Sequence, residues 1–121
     1  MTSTPDPQLL KGVLSLLLLR LVAERESYGY ELVQRLRVTG LSEITDGTVY
    51  PALARLEREG RISARLVASR SGPARKYYRP TEEGYRALTE GARNWLSLAE
   101  LVTPVLSRPV PAEPAPPSEE S

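Results

Sequence analysis

The chain has 121 residues, which is enough for one compact domain and excludes most multidomain enzymes. It carries 16 Lys plus Arg and 15 Asp plus Glu, so the formal net charge of +1 identifies no partner by itself. Cys and His are both absent from the sequence, which excludes disulfides, thiolate nucleophiles and imidazole bases and removes the usual transition-metal ligands. The composition therefore predicts a protein with no cofactor and no metal, suited to the reducing cytosol.

The most apolar stretch of the chain, residues 13–23, is too short to cross a membrane. It has about half of the roughly 20 residues that a membrane span needs, and Arg20 interrupts it. A secretory signal would place basic residues before this stretch, whereas Pro5, Asp6 and Pro7 precede it. We therefore expect a soluble cytoplasmic protein without a membrane partner.

Two helices are predicted in the first third of the chain. Asp6 is suited to the N-cap, and Pro7 to the first turn, of a helix that we expect to continue to Arg25. Ser27 is the candidate N-cap of the second helix, and Gly40 is suited to the left-handed position after its end. The second helix has one apolar face, which comprises Tyr28, Leu32, Val33 and Leu36.

A third helix is predicted just before the midpoint of the chain. Asp46 or Thr48 can cap its N-terminus, and Gly60 suits the position after its last residue, Glu59. Pro51 is compatible with this helix because it falls near the first turn, where little hydrogen bonding is lost. The face that helical spacing predicts to be buried comprises Val49, Leu53 and Leu56.

The opposite face of the third helix is predicted to be exposed. Small residues near its start would let the backbone approach a groove closely. Thr48 and Tyr50 lie in the N-terminal part, where a recognition helix meets phosphates or base edges. Tyr50 has an alternative role as a half-buried ring that braces the second helix. The other residues of the exposed face are Gly47, Pro51, Ala54, Arg55 and Arg58.

A β-hairpin is predicted after the third helix, because the hydrophobic period changes from helical to alternating. Residues 61–67 alternate between apolar and polar side chains, residues 68–74 contain the Ser, Gly and Pro of a turn, and residues 75–79 form an aromatic-rich return strand. The apolar residues that share one face of the first strand are Ile62, Ala64 and Leu66.

A last, long helix is predicted from Glu82, with Pro80 ending the preceding strand and Thr81 capping the helix. Its a/d heptad stripe needs a partner, which we predict to be a second copy of the chain; packing of the stripe on the first helix alone is the alternative. Pro104 is expected to mark where the helix frays or kinks. The stripe runs from Tyr85 to Leu106, and its predicted dimer-interface residues are Leu88, Ala92, Trp95, Ala99 and Val102.

The order of predicted elements is three helices, a hairpin and a fourth helix. The second and third helices form a helix-turn-helix, and the hairpin that follows supplies a wing. The predicted fold class is therefore mainly α with a small β-hairpin, a winged helix-turn-helix with a C-terminal dimerisation helix. We expect a DNA-binding domain over residues 1–80, the dimerisation helix over residues 81–106 and a disordered proline-rich tail over residues 107–121. A PxxP-type ligand is the alternative for the tail.

Positive charge is concentrated on the third helix and the hairpin. Residues 44–80 carry eight basic and three acidic residues, a local balance of +5, which leaves −4 for the remainder. Such a segment is suited to double-stranded DNA, because phosphate neutralisation releases counterions. Solvated surface arginines are the alternative. The candidate DNA-binding residues are Thr48, Tyr50, Pro51, Arg55, Arg58, Arg70, Arg75 and Lys76.

Three segments resemble the PadR family of bacterial transcriptional regulators: YGYEL (28–32), GTVYPALARLEREGRI (47–62) and RKYYRPTEEG (75–84). The helix that carries Trp95 follows them, and its short length resembles the smaller PadR subfamily. This resemblance implies a dimeric winged-helix repressor that reads a palindromic operator, with the third helix in the major groove and the wing near the minor groove or backbone. It also implies that the first and last helices form the dimer. Val49 departs from the family pattern, in which Leu is common.

The same resemblance implies a candidate effector site. Some PadR-like regulators respond to phenolic acids or flat hydrophobic drugs, and in certain drug-sensing members an aromatic residue of the last helix lines a pore at the dimer interface. Trp95 falls in the corresponding region and could sandwich a small planar hydrophobic or aromatic effector with its symmetry mate. An interface core residue with no ligand is the alternative. The candidate pocket residues are Leu14, Leu18, Leu88 and Trp95.

Two other functional classes remain. An enzyme is disfavoured, because without His and Cys only carboxylate or Ser/Lys chemistry is available, and the only lysines are Lys11 and Lys76. Glu82 and Glu83 are better explained as first-turn acids that complement the helix dipole than as a catalytic pair. The second class is a winged-helix module that binds protein without specific DNA recognition. The arginines of the third helix and the basic hairpin favour DNA over this alternative.

Overall fold

The computed structural model describes residues 6–118, which form five helices and a small three-stranded antiparallel sheet. The predicted fold class is confirmed: a helix-turn-helix is followed by a two-stranded wing and one long C-terminal helix. In chain order the elements are α1 (Pro7–Lys11), α2 (Leu14–Glu24), β1 (Ser27–Tyr28), α3 (Gly29–Thr39), α4 (Asp46–Arg58), β2 (Ile62–Ser69), β3 (Gly72–Pro80) and α5 (Glu82–Leu106).

The core is one cluster of aliphatic side chains centred on α2. Leu18 of α2, Leu32 of α3 and Leu53 of α4 are almost completely inaccessible to solvent. The predicted buried face of α4 is confirmed, because Val49 and Leu56 are buried beside Leu53. This burial fixes the rotation of α4 about its own axis, so that its opposite face is turned to solvent.

The predicted single helix from Pro7 to Arg25 is wrong, because the chain turns between α1 and α2. The backbone at Val13 has φ −124° and ψ −10°, outside the helical region. The amides of Gly12 and Val13 donate to carbonyls three residues earlier, as in a tight turn. Leu10 before the turn and Leu14 after it are both buried in the core.

The predicted cap of the second helix is also wrong. Ser27 lies in β1, and α3 begins at Gly29 without a side-chain cap. The buried Ser27 hydroxyl donates to the carbonyl oxygen of Arg25 at 3.0 Å and accepts from the Arg35 guanidinium at 2.9 Å. The requirement to satisfy these buried polar groups, rather than helix capping, accounts for Ser27. Tyr28 likewise belongs to β1, whereas the other predicted apolar residues of this helix are buried.

The cap of α4 differs from the prediction, while the stops of both helices agree with it. Thr45 occupies the N-cap of α4 and makes no side-chain cap, so neither Asp46 nor Thr48 has that role. Gly40 and Gly60 both have positive φ, at 137° and 75°, as expected for glycines that end helices.

The sheet has a third strand that the sequence did not predict. Its order is β1-β3-β2, and the two residues of β1 pair with Tyr77 and Tyr78 of β3. The wing strands are longer than predicted, so that the turn contains only Arg70 and Ser71. On the predicted apolar face of β2, Ile62 is buried but Leu66 is 72% exposed, because the wing extends beyond the core.

The N-terminus of α5 is joined closely to the segment between α4 and the wing. Thr81 is the N-cap, as predicted, and its hydroxyl accepts from the Gly84 amide at 3.0 Å. The same hydroxyl donates to the Gly60 carbonyl at 2.6 Å, and the Thr81 amide donates to the Arg61 carbonyl at 3.0 Å. Gly84 lies directly against this Arg61 carbonyl, which leaves no space for a Cβ.

The C-terminal end of α5 differs from the prediction. The helix continues through Pro104 to Leu106 instead of fraying at the proline. Because Pro104 lies in the last turn, it removes one hydrogen bond, and the bond that closes the helix, from the Ser107 amide to the Thr103 carbonyl, is intact at 2.9 Å. Residues 107–118 are exposed and contain neither helix nor strand, and the last three residues of the predicted tail lie outside the described residues. Within residues 6–118, no helix is long and apolar enough to span a membrane.

The contact between Gly84 and the Arg61 carbonyl generates a test of stability. Gly84→Ala should destabilise the fold by about 1–3 kcal/mol, because the new methyl group meets a backbone carbonyl that cannot move aside. Urea denaturation of the two proteins measures this difference.

Gly91→Ala is the matched control on the same helix. A Cβ there approaches only the flexible end of Leu16, 2.8 Å from its Cδ1 atom, which can rotate away. Ala is also the better helix former by about 1 kcal/mol, so the control should be neutral or slightly stabilising. Equal destabilisation by both substitutions would contradict the assigned role of the Gly84 contact.

Candidate nucleic-acid interface

The exposed face of α4 carries the predicted recognition residues. Thr48, Pro51, Arg55 and Arg58 are all exposed, opposite the buried side of the helix. Pro51 was predicted to fall near the first turn of this helix. It is the sixth residue of α4 and lies in the second turn. The helix therefore lacks the hydrogen bond that an amide at this position would make to the carbonyl of Gly47.

Tyr50 has the bracing role that was one of the two alternatives considered from the sequence. Its ring packs against the first residue of α3: a Cβ built on Gly29 would lie 2.7 Å from the Tyr50 Cε1 atom. The side chain nevertheless remains 45% exposed. Tyr50 thus fixes the start of α4 against α3, and part of its side chain remains exposed to solvent.

The two arginines of α4 are available for phosphate contacts. Arg55 makes no ion pair within residues 6–118, and its Nη2 atom lies 3.4 Å from the Ser15 hydroxyl, at the limit of a hydrogen bond. Arg58 likewise has no ion-pair partner among the described residues. Both guanidinium groups can therefore reorganise to meet an anion without breaking a strong internal contact.

Lys76 of the wing is less available. Its Nζ atom forms an ion pair with the Glu57 carboxylate of α4 at 2.9 Å and lies 5.6 Å from the centre of the Tyr78 ring. The hydrogen bond to Glu57 raises the pKa of the Lys76 ammonium above its ordinary value, and burial raises the pKa of the Tyr78 phenol. Lys76 therefore joins the wing to α4, and a phosphate would have to compete with Glu57 for it.

The two wing arginines of the predicted site lie in different surroundings. The Arg75 guanidinium stacks on the Tyr28 ring, 4.5 Å from its centre, and Tyr28 in turn contacts Tyr77 with ring centres 5.3 Å apart. Arg70 lies in the turn at the tip of the wing, exposed and without an ion pair in the described part of the chain. The Arg75 guanidinium is thus positioned by the Tyr28 ring of β1, whereas Arg70 can reach outward.

A contact that sequence reasoning missed neutralises another basic residue of the wing. Arg65 makes two hydrogen bonds to the Glu26 carboxylate, at 2.7 and 2.9 Å. These bonds lower the pKa of the Glu26 carboxyl and raise that of the Arg65 guanidinium. The two residues are 39 positions apart, so no local signal could have paired them. The number of basic residues in this segment therefore overstates the positive charge available to a partner, since some of these residues are already paired with carboxylates.

The predicted effector residues do not all meet in one cavity. A cavity of about 720 Å³ lies between α1, α2 and the middle of α5, and Leu88, Ala92 and Trp95 line it. Leu18 is fully buried in the core and Leu14 is buried facing a different cavity, so neither lines this one. This cavity therefore lacks two of the predicted effector residues, and other side chains from the N-terminal part of the chain face α5 in their place. These side chains are Val13, Leu16 and Leu17, with Leu9 and Leu10 from α1.

The last turns of α5 expose an apolar surface that is broader than the predicted stripe. Leu88 is half-buried against the core, and Ala92 and Ala99 are partly covered. Trp95 and Val102 are 47% and 38% exposed. The exposed apolar residues outside the stripe are Leu96, Leu98, Leu101 and Val105.

The part of the chain that the structure describes holds no group of three or more carboxylate or other ligating side chains arranged for a metal ion. Its functional surface consists of arginines, hydroxyls and apolar side chains. Such groups bind, stack and neutralise charge.

Two curated proteins are similar to this chain over most of its length. Uncharacterized protein X of Lysinibacillus sphaericus is 33% identical over 96 residues, which cover 78% of this chain and 88% of that protein. The transcriptional regulator Rv3488 of Mycobacterium tuberculosis is 38% identical over 97 residues, which cover 79% of this chain and 85% of that protein.

Solved structures of PadR regulators have the same fold. A PadR-like transcriptional regulator from Bacillus cereus superimposes with a TM-score of 0.76 at 37% identity, covering 84% of this chain and 99% of that one. A PadR family transcriptional regulator from Eggerthella lenta gives a TM-score of 0.74 at 37% identity, covering 83% and 87% of the two chains. The model of the transcriptional regulator PadR-like family matches residues 18–90. The chain therefore belongs to the PadR-like family of transcriptional regulators.

Proposed function

We propose that the protein is a repressor that binds a palindromic operator in double-stranded DNA as a homodimer and responds to a small apolar or aromatic effector. The observation that carries the proposal is the two-sided character of α4. One side is buried in the core, and the other exposes Thr48, Arg55 and Arg58 with no ion pair to a described residue. A helix held in this way can enter the major groove with its polar side facing the bases and phosphates.

The wing supports the same proposal. Arg70 extends from its tip, and Arg75 of β3 is held by the Tyr28 ring. In this arrangement the wing arginines hold the DNA backbone beside the groove occupied by α4, which adds affinity without reading sequence.

The apolar surface of α5 supports a homodimer. Its exposed side chains, from Trp95 to Leu106, are continuous with the cavity between α5 and the first two helices. A second copy of the chain, related by a twofold axis, would cover this surface with the same residues of its own α5. The two copies of α4 would then face successive major grooves, roughly 34 Å apart along the duplex.

The cavity beside Trp95 is the proposed effector site. Its lining is almost entirely apolar, and its volume of about 720 Å³ lies in the range of small-molecule pockets. The indole ring of Trp95 offers a flat face for a planar molecule. Because the cavity is formed partly by α5, an occupant would alter the packing on which the proposed dimer depends.

DNA binding is tested by the salt dependence of affinity. A duplex selected from a randomised pool should bind more tightly than heparin, and Arg58→Ala should weaken this binding. The slope of log Kd against log salt should fall by about 0.9 for the lost phosphate contact. Fluorescence anisotropy at several salt concentrations measures both effects.

Arg86→Ala is the control, because Arg86 is an exposed arginine on α5 that pairs with Glu82 and Glu83, away from α4. It should leave the slope unchanged. An unchanged slope in Arg58→Ala would show that the exposed face of α4 does not meet phosphates. A protein that prefers no duplex to heparin would contradict the proposed function as a whole.

The ion pair between α4 and the wing generates a prediction with the opposite sign. Glu57→Gln should strengthen duplex binding and steepen the salt slope by about 0.9, because it frees Lys76 for a phosphate. Glu83→Gln is the matched control, since it breaks an ion pair with Arg86 that lies outside the proposed interface. Weaker binding by Glu57→Gln would indicate that the pair is needed to hold the wing in place.

The homodimer is tested at Val102, which is partly exposed in the protomer. Leu88 is less suitable, because it packs on the core and its replacement would also affect folding. Val102→Arg should give a folded monomer at concentrations where the natural sequence dimerises, because association would bury an unpaired charge. Sedimentation velocity measures the mass, and circular dichroism verifies the fold.

Glu100→Arg is the control for Val102→Arg, since residue 100 is exposed about 160° away around α5. It should remain dimeric. A dimer that persists in Val102→Arg would refute the role of this surface.

A further inference from the structure

A second cavity, of about 440 Å³, lies between α1 and the first turns of α4. Its apolar walls include Leu10, Leu14, Ile44 and Ala52, all of them buried residues of the core. Trp95 and the rest of α5 take no part in its lining, so it is distinct from the proposed effector site. Its volume also lies within the range of small-molecule pockets, about 300–1,000 Å³.

Three charged side chains complete the lining of this cavity. Lys11 comes from α1, Arg55 from α4 and Glu43 from the loop before α4. None of the three forms an ion pair with another residue in the range 6–118. The contact of Arg55 with the Ser15 hydroxyl, at 3.4 Å, is too long to satisfy a guanidinium.

The balance of these charges defines the chemistry of an occupant. Two cations and one carboxylate give the cavity a net charge of +1, so a molecule with a single negative charge is complementary to it. The buried apolar walls require the remainder of the molecule to be apolar. A dianion such as a phosphate monoester would exceed the available positive charge and leave the apolar walls uncovered.

We propose that this cavity binds an apolar carboxylic acid, with its carboxylate between Lys11 and Arg55 and its apolar body against Leu10 and Leu14. Arg55 can provide two parallel hydrogen bonds to a carboxylate, and Lys11 adds a second positive charge.

The position of the cavity gives the ligand a consequence for DNA, which rests on the proposed function. Thr48, Pro51 and Arg55 belong both to the cavity lining and to the proposed recognition face of α4. A carboxylate that engages Arg55 withdraws this guanidinium from a phosphate or base. The acid and the duplex therefore compete for the same side chain, and the acid weakens DNA binding without acting through α5.

Octanoate is the probe for this cavity, and octan-1-ol of the same chain length is its neutral counterpart. In two-dimensional ¹H–¹⁵N spectra of the full chain, the Gly47 amide reports on this cavity, and the indole N–H of the single Trp reports on the other. Octanoate should shift the Gly47 signal with a Kd about tenfold lower than that of octanol, because only the acid uses both cations. Equal affinities, or a shift confined to the Trp95 indole, would overturn the proposal.

Two variants assign the binding to this site. Lys11→Ala should raise the octanoate Kd measured at Gly47 by about three- to fivefold, as expected for one exposed ion pair. Arg20→Ala is the matched control, since Arg20 lines the cavity beside Trp95 and not this one, and it should leave that Kd unchanged. An unchanged Kd in Lys11→Ala would overturn the proposal, and Lys11 is exposed, so its loss should not affect folding.

A competition experiment separates this proposal from the proposed function. Octanoate should weaken binding of the selected duplex in the natural sequence and should do so less in Lys11→Ala. If no duplex binds even without octanoate, the proposed function fails, while the Gly47 titration still decides whether the cavity takes an acid. If the duplex binds but octanoate leaves Gly47 unshifted, only the cavity proposal fails.

Discussion

The contact between Gly84 and the Arg61 carbonyl determines how the parts of this molecule are arranged. The Thr81 hydroxyl donates to the carbonyl of Gly60, two residues after α4, and accepts from the amide of Gly84 in the first turn of α5, so one hydroxyl joins the helix-turn-helix to the C-terminal helix. Only a residue without a side chain can lie against the backbone at this distance. Because the start of the wing forms the other side of the contact, α4, the wing and α5 have one relative orientation. The separation of two α4 helices in a dimer then follows from how α5 pairs.

Ion pairs reduce the number of basic residues of α4 and the wing that are available to a partner. Glu26, in the loop before β1, and Glu57, on α4, each bind one basic residue of the wing. These pairs join the hairpin to the helical body, but both are exposed to solvent and each contributes little to stability. Arg55, Arg58, Arg70 and Arg75 form no ion pair with another residue of the described part of the chain. The net effect is a wing fixed by some of its cations and able to contact a polyanion with others.

Features that depend on local signals were predicted correctly from the sequence. The predictions were wrong where a contact between residues far apart in the chain determines the structure. Helical spacing identified the buried face of α4, and the conformational freedom of Gly60 identified its end. The strand β1 has only two residues, and its partner lies about fifty positions later, so no periodicity could reveal it. Ser27 resembled a helix cap, yet its buried hydroxyl instead accepts a hydrogen bond from the partly buried Arg35 guanidinium. At the candidate site the exposed residues of α4 were identified correctly, whereas the pairing of Lys76 with Glu57 required the fold.

The turn between α1 and α2 places α1 between the two cavities of the molecule. Leu10 is part of both linings, and it is the residue that anchors this short helix in the core. A five-residue helix has little stability of its own, so its position depends on what it packs against. An occupant of either cavity would therefore contact a residue that also lines the other, Leu10. Coupling between two binding sites is reciprocal. If a ligand beside Trp95 moved α1 and so changed the affinity of the cavity beside Arg55, a ligand in that cavity would change the affinity of the site beside Trp95 by the same factor.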